Sequence, residues 1–322
     1  MRATAARLFL VLGTLLAVSC VGECVLRGAA ALGLDARPGD EYRPRFVLSS
    51  NRVLITEMDP NDPNLNSDGL RDRDYTIKKP PGTVRIIALG DSVTYGFRIE
   101  LDATYAKRLE ALLNGETDGP RYEVINFGVD GYNTRQELER FRQKGRRYRP
   151  DLLLIGYTMN DVLDAEALLN ILGGAPAGGE WSLRSMLSSS RFVSWVRQRA
   201  TRVDLSESPR AYFVHLYSQR HNWRIVASSF AELAALAKND GFDVLLVIFP
   251  YFDTMTPYRY SAIHGFVERE ARKNGFNVLD LLGAFEAHAL DEVRLSPSDP
   301  VHPSREGHAI AARAIHAHLT RP

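Results

Sequence analysis

From residue 83 onward, short apolar runs recur along the chain, each separated from the next by a stretch that reads as helix. The runs are Val84–Leu89 (VRIIAL), Tyr122–Asn126 (YEVIN), Asp151–Gly156 (DLLLIG), Phe242–Phe249 (FDVLLVIF) and Phe276–Leu279. Between them lie Ala106–Leu113, Thr134–Arg147, Trp223–Lys238 and Ile263–Lys273, and Gly307–His318 closes the chain as a last helix. Strands this apolar bury both faces, which calls for a parallel sheet with helices on either side. The expectation is one α/β domain over residues 83–322, a three-layer α/β/α sandwich of flavodoxin-like type with a mainly parallel five-stranded sheet. Residues 162–220 interrupt the rhythm as an insertion after the third strand, within which Met186–Arg197 has the pattern of a short amphipathic helix. An insertion at the carboxyl end of a strand reads either as a lid over the site or as surface decoration.

Composition narrows the partners. The 322 residues are 45% hydrophobic and 25% charged, and 40 basic against 39 acidic side chains leave a formal charge of +1. So even a balance offers no field to gather nucleic acid, and no nucleic-acid partner is expected. The two cysteines, Cys20 and Cys24, both precede residue 25, so the body of the chain forms neither a disulfide nor a thiolate metal site.

The first 34 residues read as a membrane anchor or signal segment. Arg2 and Arg7 precede an uncharged, mostly apolar run from Leu8 to Gly22, a charged start followed by an apolar core. The run is short for a spanning helix, which takes about 20 residues. Glu23 and Arg27, four apart, can pair and let the helix continue through Leu34. Three fates stay open: an uncleaved anchor with the body extracytoplasmic, a lipoprotein signal ending at Cys20, or simple cleavage and secretion. A buried cytosolic helix is the plain alternative. Residues 35–82, rich in Asp, Asn, Pro and Arg, read as a linker and an N-terminal extension packing on the main domain; within them Asn66-Ser-Asp-Gly-Leu-Arg71 has tight-turn chemistry.

In open α/β sheets, reactive groups gather at the carboxyl ends of strands. The first strand runs into Gly90-Asp-Ser92-Val-Thr-Tyr-Gly96. This is not the Gly-x-Ser-x-Gly elbow, because Thr94 takes the place of the second glycine, nor a P-loop, because no lysine follows Gly96. The second strand ends in Asn126-Phe-Gly-Val-Asp-Gly131-Tyr-Asn, and the third in Gly156-Tyr-Thr-Met-Asn160-Asp161. Near the C-terminus, Asp299-Pro-Val-His302-Pro stands just before the last helix, where three-residue spacing stiffened by Pro300 and Pro303 can set a carboxylate beside an imidazole.

Taken singly, each of these segments is as consistent with a cap or a turn as with catalysis. Together, in this order and in these strand contexts, they resemble the GDSL or SGNH hydrolase family from about residue 84 to the end. The resemblance implies an SGNH-like fold and assigns Ser92 as nucleophile and Asp299 with His302 as the acid–base pair. It places the Ser92 amide, the Gly131 amide and the Asn160 side chain in an oxyanion hole. The family more often carries an apolar residue such as Leu where Val93 stands, a mild departure. Membrane-tethered bacterial members also look like the first 80 residues. The activity implied is that of a serine esterase acting on an extracytoplasmic ester, an O-acylated sugar or a lipid, with no metal or organic cofactor. The same acyl-enzyme could instead pass its acyl group to a sugar or other alcohol. A catalytically silent binding protein on this fold is a third reading, against which Ser92 and His302 both speak.

Other conspicuous residues carry blander readings. His308 is expected to pack or cap, and His316 and His318 to lie on the surface. Arg142, Lys144, Arg146, Arg147 and Arg149 are expected to form a solvated face at a helix end. Phe249–Phe252 and Tyr258–Tyr260 either line a substrate pocket or pack as core.

Overall fold

The computed structural model describes residues 2–32, 39–115, 119–163 and 209–321. Two compact units are distinguished, Glu41–Ala165 with Arg210–Pro322 as the larger, and Met1–Asp40 with Glu166–Pro209 as the smaller. The described part of the smaller unit is chiefly helix α1 (Arg2–Ala31), in which Arg27 donates to Glu23 at 2.7 Å. No described helix is long and apolar enough to cross a membrane. Most of the insertion, including Met186–Arg197 and with it the choice between a lid and surface decoration, lies outside the described residues.

The larger unit opens with a small antiparallel hairpin, β1 (Phe46–Leu48) and β2 (Thr56–Met58). The main alternation follows: β3 (Thr83–Gly90), α2 (Ser92–Tyr95), α3 (Tyr105–Asn114), β4 (Arg121–Asn126), α4 (Thr134–Gln143) and β5 (Leu152–Tyr157). The insertion ends with α5 (Pro209–Ser218), and α6 (Arg220–Asp240), β6 (Asp243–Ile248), α7 (Ser261–Lys273) and β7 (Asn277–Asp280) follow. The chain closes with α8 (Leu282–Phe285), α9 (Leu290–Val293), the hairpin β8 (Arg294–Ser296) and β9 (Asp299–Pro303), and α10 (Arg305–Leu319).

The five central strands pair in parallel in the order β4-β3-β5-β6-β7. Alternate residues of each strand enter different halves of the core. Ile87, Leu89, Ile125, Leu153 and Ile155 pack with Leu138 and Phe141 of α4, Phe230 of α6 and Val267 of α7. Ile86, Ala88, Val124 and Leu154 face the other way, onto Leu109 of α3 and Ile310 and Ile315 of α10. The period-two alternation of a strand thus builds the three layers expected from the sequence, an α/β sandwich around a five-stranded parallel sheet.

The helix expected over Thr134–Arg147 stops at Gln143 and continues as a separate turn, Gly145–Tyr148. Gly145 is pressed so close to the Phe141 ring that a Cβ there would lie 2.4 Å from Cδ2, and its lack of a side chain also weakens the helix. In the basic cluster at this end, Arg142, Arg146 and Arg147 keep exposed side chains, as expected of a solvated face, and pair with Glu232, Asp240 and Asp68. His308 is buried; it accepts the Tyr105 N–H through Nδ1 at 3.1 Å, and burial pulls its imidazole down to about 3. His316 and His318 are half-buried rather than free on the surface, because the last turn of α10 still rests on the body of the protein.

Candidate active site

The turn after β3 is built by local rules. Asp91 caps α2: its Oδ1 accepts the Val93 N–H at 2.8 Å, and Gly96, with φ +81°, ends the turn in the left-handed region. Ser92 is the first residue of this turn, where an N–H has no acceptor within the helix. Thr94 points down rather than out, bonding the Tyr105 hydroxyl at 2.8 Å. A Cβ on Gly90 or Gly156 would lie 2.1 or 2.5 Å from its Oγ1. Glycine at the ends of two neighbouring strands therefore makes the pocket into which the turn sits, and this explains a threonine where an elbow motif would have glycine.

Three of the sequence-assigned residues, Ser92, His302 and Asp299, meet there. Ser92 Oγ lies 2.9 Å from His302 Nε2. His302 Nδ1 lies 2.8 and 3.0 Å from the two oxygens of Asp299. The Asp-x-x-His spacing closes on itself, because Asp299 Oδ1 also accepts the N–H groups of Val301 and His302, each at 3.1 Å. Asp299 is held below the usual carboxylate range: burial pushes it up, but the bond to His302, the imidazolium charge and the two backbone donors outweigh that. His302 is raised above the ordinary imidazole value. Burial lowers it, and the bond and charge of Asp299 win, helped by the charges of Asp130 and Asp91.

Asn160 sits in the short turn Met159–Val162 after β5, and its Nδ2 donates to Asp91 Oδ2 at 2.9 Å. The same oxygen accepts the Thr158 hydroxyl at 2.9 Å. A carboxamide carries two N–H groups, and the bond to Asp91 engages one of them. Gly131 lies in the loop after β4 with φ +79°, a conformation that favours glycine. Its neighbour Asp130 feels the charge of His302, and burial pushes the Asp130 carboxyl up to about 6.

Several residues about the site had no role assigned from the sequence. For Asp91, capping rules predict the bond to Val93, whereas its grip on Thr158 and Asn160 spans more than sixty residues. The Phe97 ring packs on His302 with centroids 4.6 Å apart, and Asp130 adds a second negative charge facing the imidazole. Beneath the turn, Asp161 and Glu137 are fully buried and held well above the carboxylate range, by burial first and then by neighbouring carboxylates. Phe249, Phe252 and Tyr260, candidates for a substrate pocket, are buried core residues instead. No group of acidic, histidine or cysteine residues suited to a metal ion occurs among the described residues.

A serine, a histidine and an aspartate in hydrogen-bonded series at the carboxyl edge of a parallel α/β sheet have the geometry of a serine-hydrolase site. The chain belongs to the GDSL-like lipase/acylhydrolase family, whose profile matches residues 88–310, well over half of its length. Among solved structures, it is similar to an acetylxylan esterase from Geobacillus stearothermophilus, with 17% identity over 74% of this chain and 95% of that one and a TM-score of 0.47. An α/β-hydrolase enzyme from the metagenome of Lake Arreo, Spain, shares 18% identity over 73% of this chain and 94% of that one, at a TM-score of 0.47. A two-domain esterase active on acetylated mannans shares 16% over 74% of this chain and 49% of its own, at 0.45. A search of curated proteins found no match.

Proposed function

We propose that the protein is a serine ester hydrolase that works through an acyl-enzyme on Ser92. One observation carries the reading: the unbroken series from Ser92 Oγ to His302 at 2.9 Å and from His302 to Asp299 at 2.8 Å. In that arrangement His302 Nε2 takes the proton as Ser92 Oγ attacks the ester carbonyl, and Asp299 fixes the tautomer and stabilises the imidazolium. The oxyanion forms against the Ser92 and Gly131 amides and the second N–H of Asn160. Donors fixed in advance are worth most there, because nothing must reorganise when the charge appears. His302 then gives its proton to the leaving alcohol, and a water activated by the same base releases the acid.

The substrate on this reading is an extracytoplasmic ester, an O-acylated sugar or a lipid, with the N-terminal segment serving export and attachment to the membrane. What supports that placement is the pair Arg2 and Arg7 ahead of the apolar run. The test is pre-steady-state hydrolysis of p-nitrophenyl acetate followed by intact-mass measurement. A burst stoichiometric with enzyme and an added acetyl mass, both lost in Ser92→Ala, are expected; a burst that survives the substitution refutes the role of Ser92. Adding an acceptor alcohol to the same assay separates hydrolysis from acyl transfer.

A further inference from the structure

The segment Asn66–Asp72 turns sharply and then touches two of the site-bearing loops at once. Asn66 Oδ1 accepts the N–H groups of Asp68 and Leu70, both at 2.9 Å, and Gly69 takes φ +72°. The turn drops Leu70 into the core, fully buried, and sends the next two side chains in different directions.

Arg71 goes to the nucleophile loop. Its Nη1 donates to the carbonyls of Tyr95 at 2.8 Å and Gly96 at 2.6 Å, and its Nη2 donates to the carbonyl of Ile99. These carbonyls belong to the end of α2 and the loop just beyond, the loop that carries Phe97 onto the His302 ring. The guanidinium is buried, with the rings of Tyr95 and Tyr42 at 4.7 and 5.3 Å. A planar fork with five donors is suited to three carbonyls around one bend, where lysine would reach fewer.

Asp72 goes to the oxyanion side. Its Oδ2 accepts the N–H of Asn126, the last residue of β4, at 2.8 Å, and Lys107 Nζ holds both carboxylate oxygens at 3.0 Å. Asn126 Oδ1 in turn accepts the Gly128 N–H at 2.9 Å, in the loop that leads to Asp130 and Gly131. Two adjacent side chains of a segment outside the family-matched region thus hold the loop of Ser92 and the loop of Gly131.

We infer that Leu70–Asp72 is a positioning strap of the active site: Arg71 sets the nucleophile loop, Asp72 sets the start of the oxyanion loop, and the short backbone between them fixes the spacing of the two. The inference deepens the esterase reading and rests on it only for its kinetic consequence. Displacements of about 1 Å in such a constellation cost on the order of 10²-fold in rate.

The experiment compares the full chain with Arg71→Met, Arg71→Lys and Asp72→Asn, and with Ile315→Val as a core-destabilised control. Each is assayed well below its melting midpoint for the second-order rate of fluorophosphonate labelling and for hydrogen–deuterium exchange. The strap predicts labelling slowed ~100-fold in Arg71→Met and ~10-fold in Arg71→Lys, the lysine restoring part of the clamp. Exchange should quicken in residues 93–100 for the Arg71 variants and 126–132 for Asp72→Asn, with strands β3 and β5 unchanged. Ile315→Val, though less stable, should label at the wild-type rate. Wild-type labelling and loop exchange in Arg71→Met would overturn the inference, as would exchange raised evenly across the sheet. If Arg71→Met does not fold, Arg71→Lys is read by the same two measures. If the wild type is not labelled at all, the esterase reading fails and local exchange alone decides the strap.

Discussion

The two halves of the hydrogen-bonded series Ser92–His302–Asp299 are held in opposite ways. Ser92 rides on a turn in which every residue from Asp91 to Tyr95 is buried, none more than 5% exposed, wedged between two strand ends and capped by Asp91. Asp299 and His302 sit outside the main sheet on the hairpin β8–β9, with side chains 21% and 18% exposed. The hairpin pairs irregularly and is fastened by few bonds, among them Phe252 N–H to the Pro300 carbonyl at 2.6 Å and Ser304 N–H to the Val293 carbonyl at 2.8 Å. Ser92, the proposed nucleophile, is therefore fixed by the core, whereas Asp299 and His302, the proposed acid–base pair, are fixed by their own three-residue loop. Damage on the serine side should cost stability and rate together, and damage on the hairpin should cost rate alone.

That contrast is broken most easily at Asp299. Asp299→Asn should lower kcat by ~10⁴-fold, because the amide holds the wrong imidazole tautomer, while the melting midpoint stays close to that of the wild type. A large fall in the midpoint would show that the hairpin is part of the core after all. On the other side, Asn160→Ala should lower kcat by ~10²–10³-fold through loss of an oxyanion donor. It should also lower the midpoint, since it leaves the buried Asp91 with one acceptor site unfilled.

A smaller effect concerns pH. His302 must be neutral to act as a base, and its affinity for protons is raised, so kcat/KM should rise with pH through a midpoint above the ordinary imidazole value of about 6.5. Asp130→Asn removes a negative charge that favours the imidazolium, and the midpoint should move to lower pH. Asp130 itself titrates at about 6, so wild type and variant should converge below that pH. A midpoint unmoved by the substitution would remove Asp130 from the site's electrostatics.

The smallest effect lies under the nucleophile. Glu137 is buried with neither carboxyl oxygen hydrogen-bonded, and its pKa is raised well above normal by burial and then by Asp91. An acid whose folded pKa exceeds its unfolded value of about 4.3 costs stability as pH rises from that value through the folded one. Glu137→Met should therefore stabilise the protein at neutral pH by about 1–3 kcal/mol, with the gain shrinking toward pH 5. Chemical denaturation at two pH values measures it; equal stability at both would place a partner on the carboxyl.

The same contrast explains what could be read from the chain. The central strands were legible because burial on both faces leaves continuous apolar runs, such as DLLLIG ending at Gly156. The Asp299–His302 pair was legible because its geometry is local, three residues stiffened by two prolines. The hairpin that carries it was not, since strands of three and five residues containing Pro300 and Pro303 show no alternation. The turn chemistry of Asn66–Arg71 was equally visible, but nothing in it names the carbonyls of Tyr95 and Gly96 as targets some two dozen residues away. Long-range acceptors on the backbone leave no residue-type signal, so Arg71 reads as one more surface arginine until the fold brings it inside.

On the proposed mechanism, the hydroxyl of Ser92 is a nucleophile primed by His302. Fluorophosphonate treatment of the folded protein, followed by peptide mapping, tests it most directly. A single phosphonyl adduct on Ser92, absent from Ser92→Ala and formed far more slowly in His302→Ala, is the predicted result. Equal labelling of the wild type and Ser92→Ala, or an adduct on a different serine, would contradict it.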